Sequence, residues 1–171
     1  MTDRRLPIIG TAGPEDVRRA DWVWVSPESL RARVTRRAFT RALKEGSMEL
    51  LLAWDSSGMV LGQLYIVLQS YDRRFADGHG RGYLCALTVR PGFRGRGMGT
   101  ALVEVAAKHL VGLGFAEVTI GVDEDAPQVE AMYRKWGFTR SIGRLTVDPW
   151  GLDEEGRPQK VPPFILLCRR L

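Results

Sequence analysis

The chain has 171 residues, of which 44% are hydrophobic and 26% are charged, a composition that excludes a disordered or fibrous protein. This length predicts one domain, residues 1–171, and no apolar run reaches the roughly 20 residues needed to cross a bilayer. The first residues lack the apolar segment of a signal peptide, so we expect a cytoplasmic protein with no membrane partner. Cys85 and Cys168 form no C-x-x-C pair, and we expect no metal site.

The formal net charge of +5 suggests attraction to anions, which include nucleic acids and phosphorylated cofactors. Basic residues are concentrated within residues 73–108, where a glycine-rich stretch also lies. A second basic stretch, residues 31–44, is compatible with nucleic-acid binding. Because arginine outnumbers lysine along the whole chain, we interpret this stretch as a compositional bias and expect no nucleic-acid partner.

In chain order, the pattern first predicts two helices, at residues 14–21 and 27–45, the second ending at Gly46. Two apolar runs on either side of the turn sequence DSSG then predict an antiparallel hairpin over residues 48–69. A polar loop that contains several glycines separates this hairpin from the rest of the chain.

A third strand is predicted over residues 83–90 and is stopped by Pro91. The glycine-rich stretch follows and leads into a predicted helix that starts at Met98, ends near Gly112 and precedes a strand over residues 116–122. A strand, a helix and a strand in so few residues require a crossover connection. The two strands are therefore expected to be parallel neighbours.

The next helix is expected to begin after Asp125, which would cap its first turn in a capping box, and to end at Gly137. Two final strands are predicted over residues 138–147 and 164–171. The residues between them, 148–163, are predicted to form a loop. The order of the elements predicts an α/β domain of three layers with a mixed sheet.

The glycine-rich stretch carries the clearest chemical signal. Gly95, Gly97 and Gly99 would let backbone N–H groups converge beside a helix N-terminus, which attracts negative charge. Arg94 and Arg96 add cationic donors, so the stretch predicts a cradle for a diphosphate. A glycine-rich turn without a ligand is the alternative interpretation.

Two other phosphate-binding motifs do not fit this stretch. A nucleoside triphosphate loop requires a lysine after its last glycine, and none follows here. A dinucleotide-binding fingerprint requires a third glycine where Thr100 stands, and no second βαβ half follows. Both alternatives are therefore disfavoured.

The pattern R-x-x-G-x-G, formed by Arg94, Gly97 and Gly99, follows a strand that contains Leu87 and Val89. At this point the sequence resembles the GNAT superfamily of N-acetyltransferases, whose loop for the acetyl-CoA pyrophosphate has this pattern. Downstream, the stretch VEAMYRKWGF resembles a second family motif. The resemblance is strong over residues 83–138.

The second motif places Tyr133, Gly137 and Phe138 at the family's spacing. One departure is Ala126, which stands where the family often has an asparagine. The resemblance implies a single-domain α/β fold of three layers, with about four helices around a mixed, mostly antiparallel sheet. That sheet would have about six to seven strands and a splayed parallel pair.

The resemblance also implies a reaction, in which a primary amine attacks acetyl-CoA directly in a ternary complex, with no metal. Tyr133 would act as the general acid for the leaving thiolate, with a structural core tyrosine as the alternative. The implied acetyl-CoA-binding residues are Leu87, Val89, Arg94, Gly95, Arg96, Gly97, Met98, Gly99 and Thr100.

The sequence offers several candidates for the general base that removes the proton of the amine. Some members of the family carry a glutamate base on the fourth strand, but that position falls at or near Cys85, and a buried thiol is a poor base. The candidates in neighbouring loops are Asp77, His79, Asp123 and Asp148, acting directly or through water.

The acceptor is expected to be an amine that is cationic before it loses a proton, such as a polyamine, an amino sugar or a peptide amine. This expectation rests on acidic residues in the predicted loop 148–163 and at residues 123–125. A homodimer is compatible with the resemblance. The competing functions are a non-catalytic acyl-CoA sensor and a basic nucleic-acid-binding module.

Overall fold

The structure, a computed structural model, describes residues 7–171. Seven strands form one sheet in the spatial order β1-β2-β3-β4-β5-β7-β6. Their bounds are Ile8–Ala12 (β1), Met48–Trp54 (β2), Val60–Val67 (β3), Arg81–Val89 (β4), Glu117–Asp123 (β5), Arg140–Leu152 (β6) and Pro158–Arg170 (β7). Every neighbouring pair is antiparallel except β4 and β5, which are parallel as the crossover argument predicted.

Helices cover both faces of this sheet. They are a 3₁₀ segment Pro14–Val23, α1 Leu30–Glu45, α2 Met98–Gly112 and α3 Pro127–Lys135, with a short 3₁₀ turn at Pro91–Phe93. The fold implied by the sequence, a mixed and mostly antiparallel sheet with a parallel pair and about four helices, is confirmed. Within residues 7–171, no helix has both the length and the apolar character that a membrane span requires.

Strand β3 shows how the core is divided between the two faces. All eight of its residues are buried, because helices cover the sheet on both sides. Leu64 and Ile66 pack in the cluster that includes α2, whereas Tyr65 and Val67 pack in the cluster that includes α1. The alternation along a strand thus supplies two separate cores.

Two predictions about local structure are wrong. The predicted loop 148–163 is mostly strand, because β6 runs to Leu152 and β7 starts at Pro158. Its prolines are tolerated since β7 pairs with the central strand β5 only from Phe164 onward. Asp125 does not cap α3, because the N-cap residue is Ala126 and no side chain accepts a hydrogen bond there. The short edge strand β1 was not predicted.

Candidate active site

The candidate site lies where strands β4 and β5 part. The two strands pair from Arg81 and Glu117 as far as Leu84 and Ile120, and β4 then continues to Val89 beside β3 alone. This divergence is the splayed parallel pair that the sequence implied. It leaves backbone N–H and C=O groups along one edge of β4 without a strand partner.

A β-bulge lies in this unpaired part of β4. Cys85 pairs with Tyr65 and Thr88 pairs with Gln63, so two residues of β4 oppose a single residue of β3. Ala86, within the bulge, has a φ of 53°, which is in the left-handed region. Its carbonyl accepts hydrogen bonds from Gln63 Nε2 at 3.3 Å and from Thr88 Oγ1 at 3.1 Å. These two bonds hold the bulge in its unusual conformation.

The residues of the bulged segment contribute alternately to two cavities on opposite faces of the sheet. Leu87 and Val89 line a cavity of about 550 Å³ beside α2 and α3, which we call the α2–α3 cavity. Ala86 and Thr88 line a cavity of about 260 Å³ beside α1, which we call the α1 cavity. The two cavities therefore share one stretch of backbone.

The α2–α3 cavity gathers most of the residues that the sequence analysis assigned to acetyl-CoA. Its apolar wall comes from strand β4, the short 3₁₀ turn and one face of α3, and includes Phe93, Val129, Met132 and Trp136. The rest of its lining comes from Arg94, Gly95, Gly97, Met98, Gly99 and Thr100. Arg96 is the one predicted residue that does not line it.

The glycine loop has the open backbone that the sequence predicted. Gly95 and Gly97 have φ values of 71° and 80°, and a Cβ atom at either position would meet nothing within 4 Å. Gly97 is the N-cap of α2 and offers no side-chain acceptor, so the first amides of the helix stay free for a ligand. The loop thus fits a diphosphate, which would occupy the space that side chains leave empty.

The side chains of Arg94, Arg96 and Met98 in this loop differ in what they could contribute to ligand binding. The guanidinium of Arg94 donates from Nε to the Val89 carbonyl at 2.9 Å, which fastens the loop to the end of β4. Arg96 is exposed and lies over the ring of Phe93 at 5.4 Å. Met98 is buried in the core, so only its backbone is available to a ligand. The cradle is therefore formed chiefly by main-chain groups.

Tyr133 lies on the face of α3 that forms a wall of the α2–α3 cavity. Its ring contacts Trp136 and Phe138, with centroid distances of 5.5 and 6.3 Å. Burial raises the pKa of Tyr133, and the negative charge of Asp123 raises it further. Because this pKa is raised, the phenol keeps its proton at neutral pH. Within residues 7–171 its hydroxyl has no hydrogen-bond partner, so it is free to donate that proton.

Two of the four candidate bases lie at the wrong end of β4. Asp77 Oδ1 accepts hydrogen bonds from the backbone amides of His79, Gly80 and Arg81 at 2.8–3.1 Å, just before the strand begins. Burial alone would raise the pKa of Asp77, but these amides lower it to about 2. Asp77 is thus a poor base that holds the turn together, and exposed His79 belongs to the same turn.

Asp148, on β6, is the candidate that lies inside the protein. The Tyr83 hydroxyl donates to its Oδ2 at 3.1 Å, and the amide of Trp150 donates to its Oδ1 at 2.9 Å. Burial raises the pKa of Asp148, although these two hydrogen bonds lower it in part. Burial also raises the pKa of Cys85, and the charge of Asp148 raises it further.

Asp123, the fourth candidate, is exposed at the end of β5. Its negative charge raises the pKa of both Tyr133 and Asp148. Asp123 ends β5, Tyr133 lines the α2–α3 cavity beside β4, and Asp148 is hydrogen-bonded to Tyr83 of β4. Asp77 and His79 lie instead in the turn that precedes β4.

The α1 cavity has a mainly apolar and aromatic wall. This part of the lining comes from the first 3₁₀ segment with Trp24 just after it, α1, β3, β4 and β6, and consists of Val17, Ala20, Val23, Trp24, Phe39, Tyr65, Ala86 and Trp150. Thr35, Arg36, Gln63 and Thr88 supply polar groups. The volume of about 260 Å³ lies below the roughly 300–1,000 Å³ typical of sites for drug-sized ligands, so a small molecule fits it.

None of the acidic residues that suggested a cationic acceptor lines this cavity. Asp153 and Glu155 lie in the turn between β6 and β7, where both bind Arg157. Glu124 forms an ion pair with Arg144. These carboxylates are thus engaged by arginines at the surface, because neighbouring turns bring opposite charges together.

Sequence reasoning singled out none of the residues that the first 3₁₀ segment, α1 and β3 contribute to the α1 cavity. Trp24, Arg36 and Gln63 belong to no motif, and they come from three segments that only the folded chain brings together. Tyr83 was also missed as the partner of Asp148, since the two are 65 residues apart. Local sequence patterns carry no signal for such contacts.

The model of the acetyltransferase (GNAT) family matches residues 15–138. An acetyltransferase of Yersinia enterocolitica is 39% identical to this chain over 105 residues, which are 58% of this chain and 68% of that protein. The family match spans both motifs on which the resemblance rested.

Solved structures share the fold at low sequence identity. A GNAT family acetyltransferase from Elizabethkingia anophelis with acetyl-CoA bound has a TM-score of 0.64 and 16% identity, covering 98% of this chain and all of its own. The spermidine/spermine N-acetyltransferase of Vibrio cholerae has a TM-score of 0.67 and 13% identity, covering 96% of this chain and 92% of its own. At such identity, these likenesses establish the architecture.

Proposed function

Because this chain belongs to the acetyltransferase (GNAT) family, we propose that it transfers the acetyl group of acetyl-CoA to a primary amine, which attacks directly in a ternary complex. The observation that carries this proposal is the bulged segment of β4. Its residues alternate between the α2–α3 cavity and the α1 cavity, so one segment of backbone faces both. Two substrates held in these cavities would meet at the gap, which lowers the entropic part of the barrier.

The α2–α3 cavity would hold the coenzyme. Backbone amides of residues 95–100 would bind its diphosphate, and the unpaired edge of β4 at Leu87 and Val89 would bind its pantetheine arm. Acetyl-CoA supplies the thioester from which the amine takes the acetyl group. An N–H of the same edge would polarise the thioester carbonyl, as donors do in other acyl transfers.

Asp148 is the best-placed group to take the proton of the amine. A primary amine with a pKa of about 10.4 is almost wholly protonated at neutral pH, so it must lose a proton before it attacks. The carboxylate of Asp148 is hydrogen-bonded to Tyr83, two residues before Cys85 on β4, and the glutamate of some family members falls at or near Cys85. We infer that β6 supplies the base that β4 lacks, acting directly or through one water molecule.

Tyr133 would protonate the leaving thiolate. Its hydroxyl keeps its proton because burial raises its pKa, and it lies on the wall of the α2–α3 cavity. The amine nitrogen then gains the bond to the acetyl carbon while the carbon–sulfur bond breaks. The nitrogen loses one proton to Asp148 before attack and a second after attack, while Tyr133 gives a proton to the thiolate. The second proton from nitrogen replaces the one that Tyr133 lost, and Asp148 releases its proton to solvent, so each turnover yields amide, free thiol and one proton.

Two measurements test this function. Calorimetry with acetyl-CoA measures coenzyme binding, and release of free thiol in the presence of a panel of primary amines measures turnover. We expect binding and amine-dependent thiol release. Binding without release for any amine would favour the acyl-CoA sensor, and a thermal shift with nucleic acid but none with acetyl-CoA would favour the nucleic-acid-binding module.

A further inference from the structure

The wall of the α1 cavity contains one charged residue, and that residue is a cation. Arg36 lines the cavity together with apolar, aromatic and neutral polar side chains, and no carboxylate of residues 7–171 lines it. An extended polyamine would bring several positive charges beside this guanidinium with no anion to compensate them. The charge of the cavity therefore suits an acceptor that carries a negative group as well as its amine.

Arg36 is buried but only partly satisfied. Its residue is 8% exposed, and its one hydrogen bond within the described part of the chain runs from Nη1 to Asp21 Oδ1 at 3.3 Å. The other carboxylate oxygen of Asp21 accepts from Arg18 Nε at 3.2 Å, so Asp21 is shared between two arginines. A guanidinium has five N–H donors, and the unbonded nitrogens of Arg36 are not among the buried polar atoms of residues 7–171 that are closed off from solvent without a partner. The remaining donors of Arg36 are available to a ligand.

A groove of about 500 Å³ adjoins the α1 cavity, because Val17 and Arg36 line both. The groove runs between the first 3₁₀ segment and α1. Its charged residues are Arg18, Arg36, Arg37, Arg41 and Lys44 against the single acid Glu15. A surface with this excess of positive charge attracts anions towards the entrance of the cavity.

We propose that the acceptor is a small amine with an apolar body and a carboxylate, and that Arg36 binds this carboxylate. The inference rests on the proposed function and specifies its acceptor. The aromatic wall would hold the apolar body, while the amine lies against the bulge at Ala86 and Thr88. A carboxylate matches a guanidinium with two parallel hydrogen bonds, which gives both strength and orientation.

The first test compares matched acceptors with the unmodified protein. Each probe is an α-, β- or γ-amino acid that bears a phenyl or thioether group, paired with the same amine lacking the carboxylate, and spermidine represents the polyamines. Release of free thiol from acetyl-CoA is the readout. We expect kcat/KM to be at least about tenfold higher for the carboxylated member of the best pair, which is the size of one charge-assisted interaction.

The second test changes Arg36 itself. Arg36→Gln should reduce the ratio of kcat/KM between the carboxylated member and its uncharged partner to about one, because the lost interaction concerns the carboxylate. Calorimetry with acetyl-CoA, which the proposal places in the other cavity, should show coenzyme affinity retained and so confirm that the variant is folded. Arg33→Gln, an exposed arginine on the same helix that lines neither the cavity nor the groove, is the matched control. The control should keep the preference.

The outcomes separate this inference from the proposed function. Amine-dependent turnover with no preference for carboxylated amines, or with a preference for spermidine, would overturn the inference and leave the transferase intact. A preference that survives in Arg36→Gln would also overturn it. No turnover of any amine by a protein that binds acetyl-CoA would overturn both.

Discussion

The hydroxyl of Tyr83 donates a hydrogen bond to Asp148 Oδ2 over 3.1 Å, and so joins two strands, β4 and β6, that are not neighbours in the sheet. β5 and β7 lie between them. Gly121 on β5 lies beside this contact, since a Cβ there would be at an ordinary contact distance of 3.9 Å from the Tyr83 hydroxyl and at a tight 3.3 Å from the ring of Phe164. The bond holds a carboxylate near the gap between β4 and β5.

If Asp148 is the base, Asp148→Asn should lower kcat/KM by about 10²- to 10⁴-fold, the range typical of general bases. Burial raises the pKa of Asp148, so the wild-type rate should fall as the pH drops through a value above that of an ordinary aspartate. This acid limb should be missing from the residual activity of the variant. Asp123→Asn is the rival substitution. If the acid limb of the rate disappeared in Asp123→Asn but remained in Asp148→Asn, the base would be Asp123.

Tyr83→Phe should move the acid limb without removing it. The hydrogen bond from Tyr83 lowers the pKa of Asp148, so its loss should raise that pKa and shift the limb of kcat/KM to higher pH. Tyr71→Phe is the control. Tyr71 is exposed, and the charge of Asp148 raises its pKa although the two residues share no hydrogen bond. An unchanged limb in Tyr83→Phe would mean that this bond does not tune the base.

Tyr133→Phe should keep the packing of the ring against Trp136 and remove the hydroxyl proposed to protonate the thiolate. Turnover should fall by roughly 10- to 1,000-fold while the affinity for acetyl-CoA, measured by calorimetry, changes little. Because the pKa of Tyr133 is raised, the wild-type rate should decline only in strongly alkaline solution, as the phenol loses its proton. Unchanged turnover with a lower melting temperature would show that Tyr133 is only a core residue.

Gly97→Val should weaken the binding of coenzyme A. The position has a φ of 80°, and a side chain there would fill space that the diphosphate would use. Gly92→Val is the matched control, because a Cβ at Gly92 also meets nothing within 4 Å but its φ lies outside the left-handed region. We expect calorimetry to show at least tenfold weaker binding for Gly97→Val alone, about 1.4 kcal/mol. Equal affinity in both variants would contradict the assignment of this loop.

The parts of the fold and of the candidate site that the sequence could predict are those encoded by contiguous residues. The glycine loop, the parallel crossover and the face of α3 that carries Tyr133 each depend on spacing within one short stretch. The prediction of a loop over residues 148–163 was wrong because prolines and glycines are typical of loops. The edge strand β6 and its neighbour β7 nevertheless tolerate them.

The sequence could not distinguish the candidate bases or predict the wall of the α1 cavity, for a different reason. Four candidate bases were equivalent in the sequence, and only burial and hydrogen bonds distinguish Asp148 from Asp77. The wall of the α1 cavity joins the first 3₁₀ segment, α1, β3, β4 and β6. Contacts of this range depend on the sheet order, which no local pattern specifies.

The last prediction concerns Ala86, whose φ of 53° is unfavourable for a residue with a Cβ. An L-residue in the left-handed region costs roughly 1–2 kcal/mol, whereas glycine costs about 0.5–1 kcal/mol in chain entropy. Ala86→Gly should therefore raise the free energy of unfolding by about 0.5–1 kcal/mol, or the melting temperature by about 1–4 °C. Ala53→Gly, at a fully buried position of β2 outside the left-handed region, should lower it by about 1 kcal/mol. Thermal unfolding of the two variants measures the difference. If Ala86→Gly destabilised the protein as much as Ala53→Gly, the bulge would carry no strain, and the hydrogen bonds from Gln63 and Thr88 to its carbonyl would not be what holds it in place.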